Sequence, residues 1–345
     1  MAEPILVIDH LQVDFQTDEG IVHAVDDVSL TLNAGEVLAV VGESGSGKSV
    51  TAMSLLGLNR SPNARFRGSA TYMGQELLTM SENDLRKVRG AEMAMIFQDP
   101  MTSLNPVQRI GDQIAEQILA HEKLNKAQVH DRVVELMERV GIPRAAERSR
   151  SYPHEFSGGM RQRVMIALAL SCSPKVLIAD EPTTALDVTI QAQILERMKE
   201  LKDQTGTAII LVTHDLGVVA DIADRIAVMY GGRIVEQGTT DEIFYDPQHP
   251  YTWGLLGSIT RVDRDRSEKL PSIAGLPPSL LDPPQGCHFR ARCPHEFAAC
   301  LEVPQLEDRG AGHPDRCFLT LEQKRTKRYV SEGEVGLATK EVAVG

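Results

Sequence analysis

The residues best suited to chemistry stand at positions 37–51, VLAVVGESGSGKSVT. Gly42, Glu43, Ser44, Gly45, Ser46, Gly47, Lys48 and Ser49 match a phosphate-binding loop at every required position. Glycines let a backbone wrap closely around an anion, so successive N–H groups through Val50 can point at phosphate oxygens. The helix that follows offers its positive end to the same charge. Lys48 would reach the β- and γ-phosphates, and Ser49 would hold Mg²⁺ through its hydroxyl. A plain glycine-rich turn between a strand and a helix is the alternative reading.

Further candidates lie at the ends of apolar runs. Residues 93–97 read as a strand ending at Gln98, whose amide can offer its carbonyl to Mg²⁺ or a water. Residues 175–181, KVLIADE, end in Asp180 and Glu181. Ligands of open α/β sheets bind at that carboxyl edge. Asp180 is expected to hold Mg²⁺ and Glu181 to take a proton from an attacking water. Residues 207–213 form another buried run closed by His214, placed for a γ-phosphate contact. Ser157, Gly158 and Gly159, with Gln162 one turn on, open a second helix whose start suits an anion but carries no lysine.

These side chains need elements to hold them. Residues 37–41 are β-branched and apolar, a buried strand, and residues from Ser49 on are helix-like. Two alternating runs at 6–15 and 21–32, separated by a polar turn, predict an antiparallel layer. Phe15 or His23 offers a flat ring to an adenine, and Phe15 equally suits a core. Residues 60–89 read as polar and irregular, whereas Ile110, Ile114, Ile118 and then Val129, Val133, Leu136, Met137 and Val140 recur at helical spacing. Residues 163–171 and 188–204 predict further helices, and 226–229 with 233–237 a closing hairpin.

The chain has 345 residues, 42% hydrophobic and 24% charged, enough for a nucleotide-binding domain and an appendix. Its net charge of -12 argues against a nucleic-acid face, which would carry a basic patch. No apolar run approaches the roughly 20 residues that span a bilayer, and the first residues lack the pattern of a secretion signal.

Taken in order, GESGSGKS, IFQDP, SGGMRQR, LIADEP, ALD and THD resemble the ATPase subunits of ABC transporters over roughly residues 5–255. The resemblance implies an α/β P-loop cassette with an antiparallel β layer and a helical subdomain at about 100–170. It implies Gln98 as the Q-loop glutamine, Asp187 as the D-loop aspartate and His214 as the switch histidine. It further implies ATP held between the loop of one subunit and the SGG helix of a second, which accounts for two anion-binding helix ends in one chain. Many members carry a tyrosine where this chain has Thr17, leaving the adenine to Phe15 or His23.

The tail narrows the resemblance. HPYT at 249–252, LPP at 276–278, and Gly286, Cys287, Arg292, Cys293 and Pro294 are similar to the C-terminal extension of dipeptide and oligopeptide importer ATPases, with nickel importers close by. The expected division is therefore a cassette at 1–255, an extension at 256–330 and a flexible tail at 331–345. Cys287, Cys293, Cys300 and Cys317 have five, six and sixteen residues between them. Spacing allows four thiolates on a metal, free thiols or disulfides; family similarity favours a [4Fe–4S] cluster, with Zn²⁺ as the alternative. Cys172 stands apart on an apolar helix and suits a core.

What the family resemblance implies is an ATP-hydrolysing subunit, peripheral on the cytoplasmic face of the cell (inner) membrane, powering uptake of di- and oligopeptides. Its implied partners are a second ATPase subunit in a heterodimer, two transmembrane permease subunits and an external substrate-binding protein. A nickel or other small-solute importer is the near alternative. A soluble ABC ATPase acting on ribosomes or DNA is the distant one, disfavoured by a single cassette without sustained heptads.

Overall fold

The computed structural model describes residues 4–99, 103–183, 188–258, 273–309 and 313–335. Two long strands come first, β1 (Pro4–Thr17) and β2 (Gly20–Asn33), antiparallel through a tight turn at Thr17↔Gly20. Then follow β3 (Val37–Val41), α1 (Lys48–Leu55), β4 (Ala64–Tyr72), β5 (Gln75–Glu76), α2 (Glu82–Val88) and β6 (Met93–Ile96). A helical group contains α3 (Ile110–His121), α4 (Lys126–Arg139), the single turn α5 (Ala145–Arg148) and α6 (Gly158–Ala169). The chain returns to β7 (Val176–Asp180), α7 (Val188–Thr205), β8 (Ala208–Thr213), α8 (Leu216–Ile222), β9 (Arg225–Tyr230), β10 (Arg233–Thr239), α9 (Thr240–Tyr245) and α10 (Pro250–Gly257). The extension adds short 3₁₀ turns at Arg290–Arg292 and Ala298–Leu301 and a last helix, α11 (Leu321–Val335).

The strands form two sheets, a four-stranded antiparallel β2-β1-β4-β5 and a six-stranded β10-β9-β3-β8-β7-β6, parallel except for β10. Central strands of the larger sheet are covered on both faces, so they read as unbroken apolar runs. Successive side chains still alternate between faces. Leu177, Ala179, Ile209 and Leu211 enter the core shared with the helical group, whereas Val176, Ile178, Ile210 and Val212 enter the core beneath the antiparallel layer. All are buried, each worth about 1.5–3 kcal/mol when fully removed from water for Val, Ile or Leu. That alternation makes the sheet a rigid shelf whose carboxyl ends carry the reactive residues.

Residues 60–89, expected to be irregular, contain β4, β5 and α2. The strand β4 carries exposed arginines and gains its order from pairing with distant β1. Arg60 ties the region together by donating to the carbonyls of Leu77, Leu78 and Met80. The last helix, α11, runs to Val335, five residues into the stretch 331–345 expected as a tail. It is fastened by Lys324, ion-paired to Asp315 at 2.5 Å with both side chains buried, and by Arg328 to Asp246 at 2.7 Å. Positions 336–345 lie outside the described residues.

Candidate functional site

The phosphate loop sits where β3 ends and α1 begins. Gly47 holds φ +102° as the residue before α1, and a Cβ there would run into the Ala24 carbonyl. A Cβ on Gly42 would run into the Met229 carbonyl, so only glycine allows the loop to lie this close to β9. Lys48 is buried and folds back over the loop, donating from Nζ to the carbonyls of Gly42 at 2.7 Å and Glu43 at 2.9 Å. Burial lowers its pKa from the ordinary lysine value, opposed by Glu181, Asp180 and Glu43.

Three strand ends deliver the remaining groups. Ser49 Oγ donates to Asp180 Oδ1 at 3.0 Å, so the first turn of α1 touches the end of β7. This puts a hydroxyl and a carboxylate side by side, the donor set that hard divalent cations take. Burial raises the Asp180 carboxyl above its usual range, with the Ser49 hydroxyl opposing. Glu181 follows with φ +46°, a left-handed conformation costing a non-glycine residue about 1–2 kcal/mol. Its amide is held by the Val212 carbonyl at 2.8 Å, and its carboxylate meets Gln98 Nε2 at 2.8 Å and His214 Nδ1 at 3.0 Å. The Gln98 amide nitrogen is thereby committed to Glu181, leaving the carbonyl oxygen as the part of that amide able to take a cation. Lys48, Ser49, Gln98, Asp180, Glu181 and His214 thus meet at one sheet edge.

Other sequence candidates are placed elsewhere. Ser157 caps α6, accepting from the Met160 N–H at 3.4 Å, and Ser157 and Gly158 are exposed. Gln162 is buried instead, its amide donating to the Pro182 carbonyl, so it braces α6 against the segment after Glu181 rather than facing outward. Asp187 lies outside the described residues. Phe15 is half-buried against the core of the antiparallel layer, and His23 is hydrogen-bonded to Asp14 at 2.8 Å.

All five cysteines are free. Cys287, Cys293, Cys300 and Cys317 line one cavity in the extension, together with Phe289 and Phe297. The backbone N–H groups of Phe289, His295 and Leu319, beside Cys287, Cys293 and Cys317 respectively, favour the thiolates and oppose the effect of burial. Burial pushes the thiols of Cys293 and Cys317 up to about 12 and raises that of Cys287. Among the described residues, no three of His, Cys, Asp and Glu are gathered tightly enough to hold a metal ion. The expected metal-ligating arrangement of the four cysteines is therefore not formed by these side chains as they stand.

One set of contacts had no sequence signal at all. Glu43, inside the phosphate loop, pairs with Arg292 of the extension, and its N–H donates to the Tyr251 hydroxyl at 2.8 Å. Residues 208 and 249 positions away supply these groups, and no local pattern reports such a pairing.

Comparison with known proteins agrees with this geometry. Residues 25–184 match the family described as ABC transporter, and residues 235–300 match the oligopeptide/dipeptide transporter C-terminal region. The chain is 51% identical to the oligopeptide transport ATP-binding protein OppD of Salmonella typhimurium over 93% of its own length and 96% of the relative's. It is 50% identical to the dipeptide transport ATP-binding protein DppD of Bacillus subtilis, covering 96% and 99%. Among solved structures, cbiO1 of Clostridium perfringens, part of the ABC transporter complex cbiONQ, superposes with a TM-score of 0.60 at 28% identity, covering 71% of this chain and 92% of that one. Among the described residues no helix is long and apolar enough to cross a membrane.

Proposed function

The chain belongs to the ATP-binding subunits of ABC transporters for oligopeptides and dipeptides, and from that membership we propose how its residues divide the work. It is an ATPase whose hydrolysis of ATP drives uptake of short peptides. The loop from Gly42 to Val50 cradles the triphosphate, and Lys48 bridges its terminal phosphates. Ser49, Asp180 and Gln98 hold Mg²⁺, which neutralises charge on the phosphates when bound. Glu181 takes the proton of a water attacking the γ-phosphorus in line, the bond to the bridging oxygen breaks, and ADP leaves. His214 and Gln98 hold the Glu181 carboxylate from two sides and aim it. The convergence of these six side chains at the sheet edge is the observation that carries the reading.

The exposed start of α6, with Ser157, Gly158 and Gly159, serves the ATP bound by a second cassette, and Asp187 joins that interface. A second ATPase subunit is thus required, most simply a different chain, together with two permease subunits and an external peptide-binding protein. The subunit sits on the cytoplasmic face of the membrane through the permeases. Residues 1–255 act as the cassette and 256–330 as the extension. Phe15 is assigned to the adenine, supported by its place on the antiparallel layer. In the extension, Cys287, Cys293, Cys300 and Cys317 are assigned to a [4Fe–4S] cluster, supported by four free thiols lining one cavity, which binding would have to draw together from the positions they hold here; Zn²⁺ is the alternative.

The test is reconstitution of the whole complex in vesicles. Peptide uptake and phosphate release should appear together, and both should vanish with Glu181→Gln. ATP hydrolysis that no peptide and no permease influences would remove the importer assignment.

A further inference from the structure

The outer side of the phosphate loop is gripped from four directions. The Gly232 N–H, in the turn between β9 and β10, donates to the Ser46 carbonyl at 3.0 Å, and Met229 packs its carbonyl against Gly42. Those two contacts come from the cassette's own sheet. The other two come from beyond it. The Tyr251 hydroxyl accepts the Glu43 N–H at 2.8 Å, and Arg292 holds the Glu43 carboxylate in both arms of its guanidinium, Nη1 to Oε2 at 2.6 Å and Nη2 to Oε1 at 3.0 Å.

An exposed pair of this kind would contribute little, but this one is built in. The Arg292 side chain is only 6% exposed. Its remaining donors are taken by the carbonyls of Ala274 at 3.0 Å and Ile273 at 3.1 Å and by the Tyr230 hydroxyl at 3.3 Å, and it lies against the ring of Tyr230. Tyr230, Tyr251 and Phe289 pack ring to ring behind it. A bidentate, partly buried pair with a fixed arginine has the geometry that positions its partner as well as attracting it.

We propose that Arg292 is a positioning residue of the ATP site, holding the phosphate loop in its binding shape through Glu43, so that the C-terminal extension sets the affinity for nucleotide. The inference rests on the assignment of this loop to ATP. The Glu43 carboxylate turns to the extension, and the contacts of Arg292 are with Glu43, Tyr230 and the carbonyls of Ile273 and Ala274. What the pair does is order the loop before the ligand arrives, which removes an ordering cost from binding. Once ATP is seated it imposes the same shape itself, so the chemical step is unaffected. The signature is a weaker nucleotide affinity with an unchanged maximal rate.

The experiment uses the assembled transporter, with ATP affinity measured by titration under Mg²⁺-free conditions and the KM for ATP and kcat measured with Mg²⁺. Glu43→Gln and Arg292→Gln should each weaken ATP affinity and raise the KM by about tenfold, and the double variant should be no worse than either single one. For Arg292→Gln, which lies outside the phosphate loop, the kcat should stay within about twofold of wild type. Single variants with wild-type affinity would overturn the proposal, as would effects that add in the double variant or a loss of kcat at constant KM. Should Arg292→Gln disturb the extension, Glu43→Gln removes the same pair while leaving every extension residue in place, and its KM decides. Peptide uptake measured on the same preparations separates the two readings. Wild-type complex that binds ATP but moves no peptide removes the importer assignment, whereas unchanged ATP affinity in the variants removes the clamp alone.

Discussion

His214 Nδ1 lies 3.0 Å from Glu181 Oε1, joining the end of β8 to the end of β7 across the sheet edge. Glu181 meets it from a left-handed conformation, φ +46°. Replacing Glu181 by Gln keeps the shape and both neighbours but removes the base. Phosphate release should fall by about a hundred- to ten-thousand-fold while ATP binding persists. His214→Ala should lower the rate in the same direction by freeing the carboxylate. Retention of half the wild-type turnover by Glu181→Gln would remove it from the chemistry.

Ser49 and Asp180 make the corresponding prediction for the cation. Their contact at 3.0 Å unites α1 with β7, and burial holds the Asp180 carboxyl above its usual range until a positive charge is added. Ser49→Ala and Asp180→Asn should each raise the Mg²⁺ concentration for half-maximal ATPase by about ten- to a hundredfold. A magnesium titration of turnover at saturating ATP checks this, and curves that superpose on wild type would contradict the assignment.

The sheet and the site were legible where signals were local. Residues 37–41 were read as a strand and are β3, because a run covered on both faces must be continuously apolar. Asp180, Glu181 and His214 were legible because they end such runs. By contrast, β4 was missed since Arg65 and Arg67 interrupt its apolar positions and its partner is β1, far away in sequence. Gln162 was legible as part of the SGG helix start, but its burial against Pro182 was not, because a helix register alone does not say which face a neighbouring segment covers. The Arg292–Glu43 pair spans 249 positions and depends on how the extension docks, which no periodicity encodes.

The cysteine cavity separates cluster from thiols cleanly. Protein prepared without air should contain iron and acid-labile sulfide and show the broad visible absorption of iron–sulfur charge transfer. Cys293→Ser and Cys317→Ser should each lose most of both, since every thiolate is one of four anchors. Colourless protein with stoichiometric zinc would replace the cluster with the alternative metal, and four thiols all open to alkylation would remove both.

Acid should loosen the packing around His249, whose ring lies against Phe289 of the extension. Its side chain is buried, and its Nδ1 accepts the Tyr251 N–H at 3.1 Å, capping the helix whose tyrosine reaches the phosphate loop. Burial, reinforced by the charge on Lys324 and opposed by a backbone contact with Arg316, lowers its pKa to about 3 from 6.5. Between those values the unfolded chain binds a proton that the folded chain refuses, so stability is lost as pH falls below the unfolded value. From about pH 7.5 to about pH 5.5 this group alone should cost about 1.4 kcal/mol. His313, paired with Glu236 at 3.0 Å, has a raised pKa and acts in the opposite sense, contributing stability at low pH that disappears as pH rises through its folded value. Comparison with His249→Asn isolates the first effect, because the amide oxygen can still accept the Tyr251 N–H yet does not titrate. Denaturant unfolding at the two pH values should show the wild type losing about 1.4 kcal/mol more than the variant on acidification. Parallel losses in the two proteins would mean that His249 is protonated in the folded chain and that the cap does not depend on its neutral form.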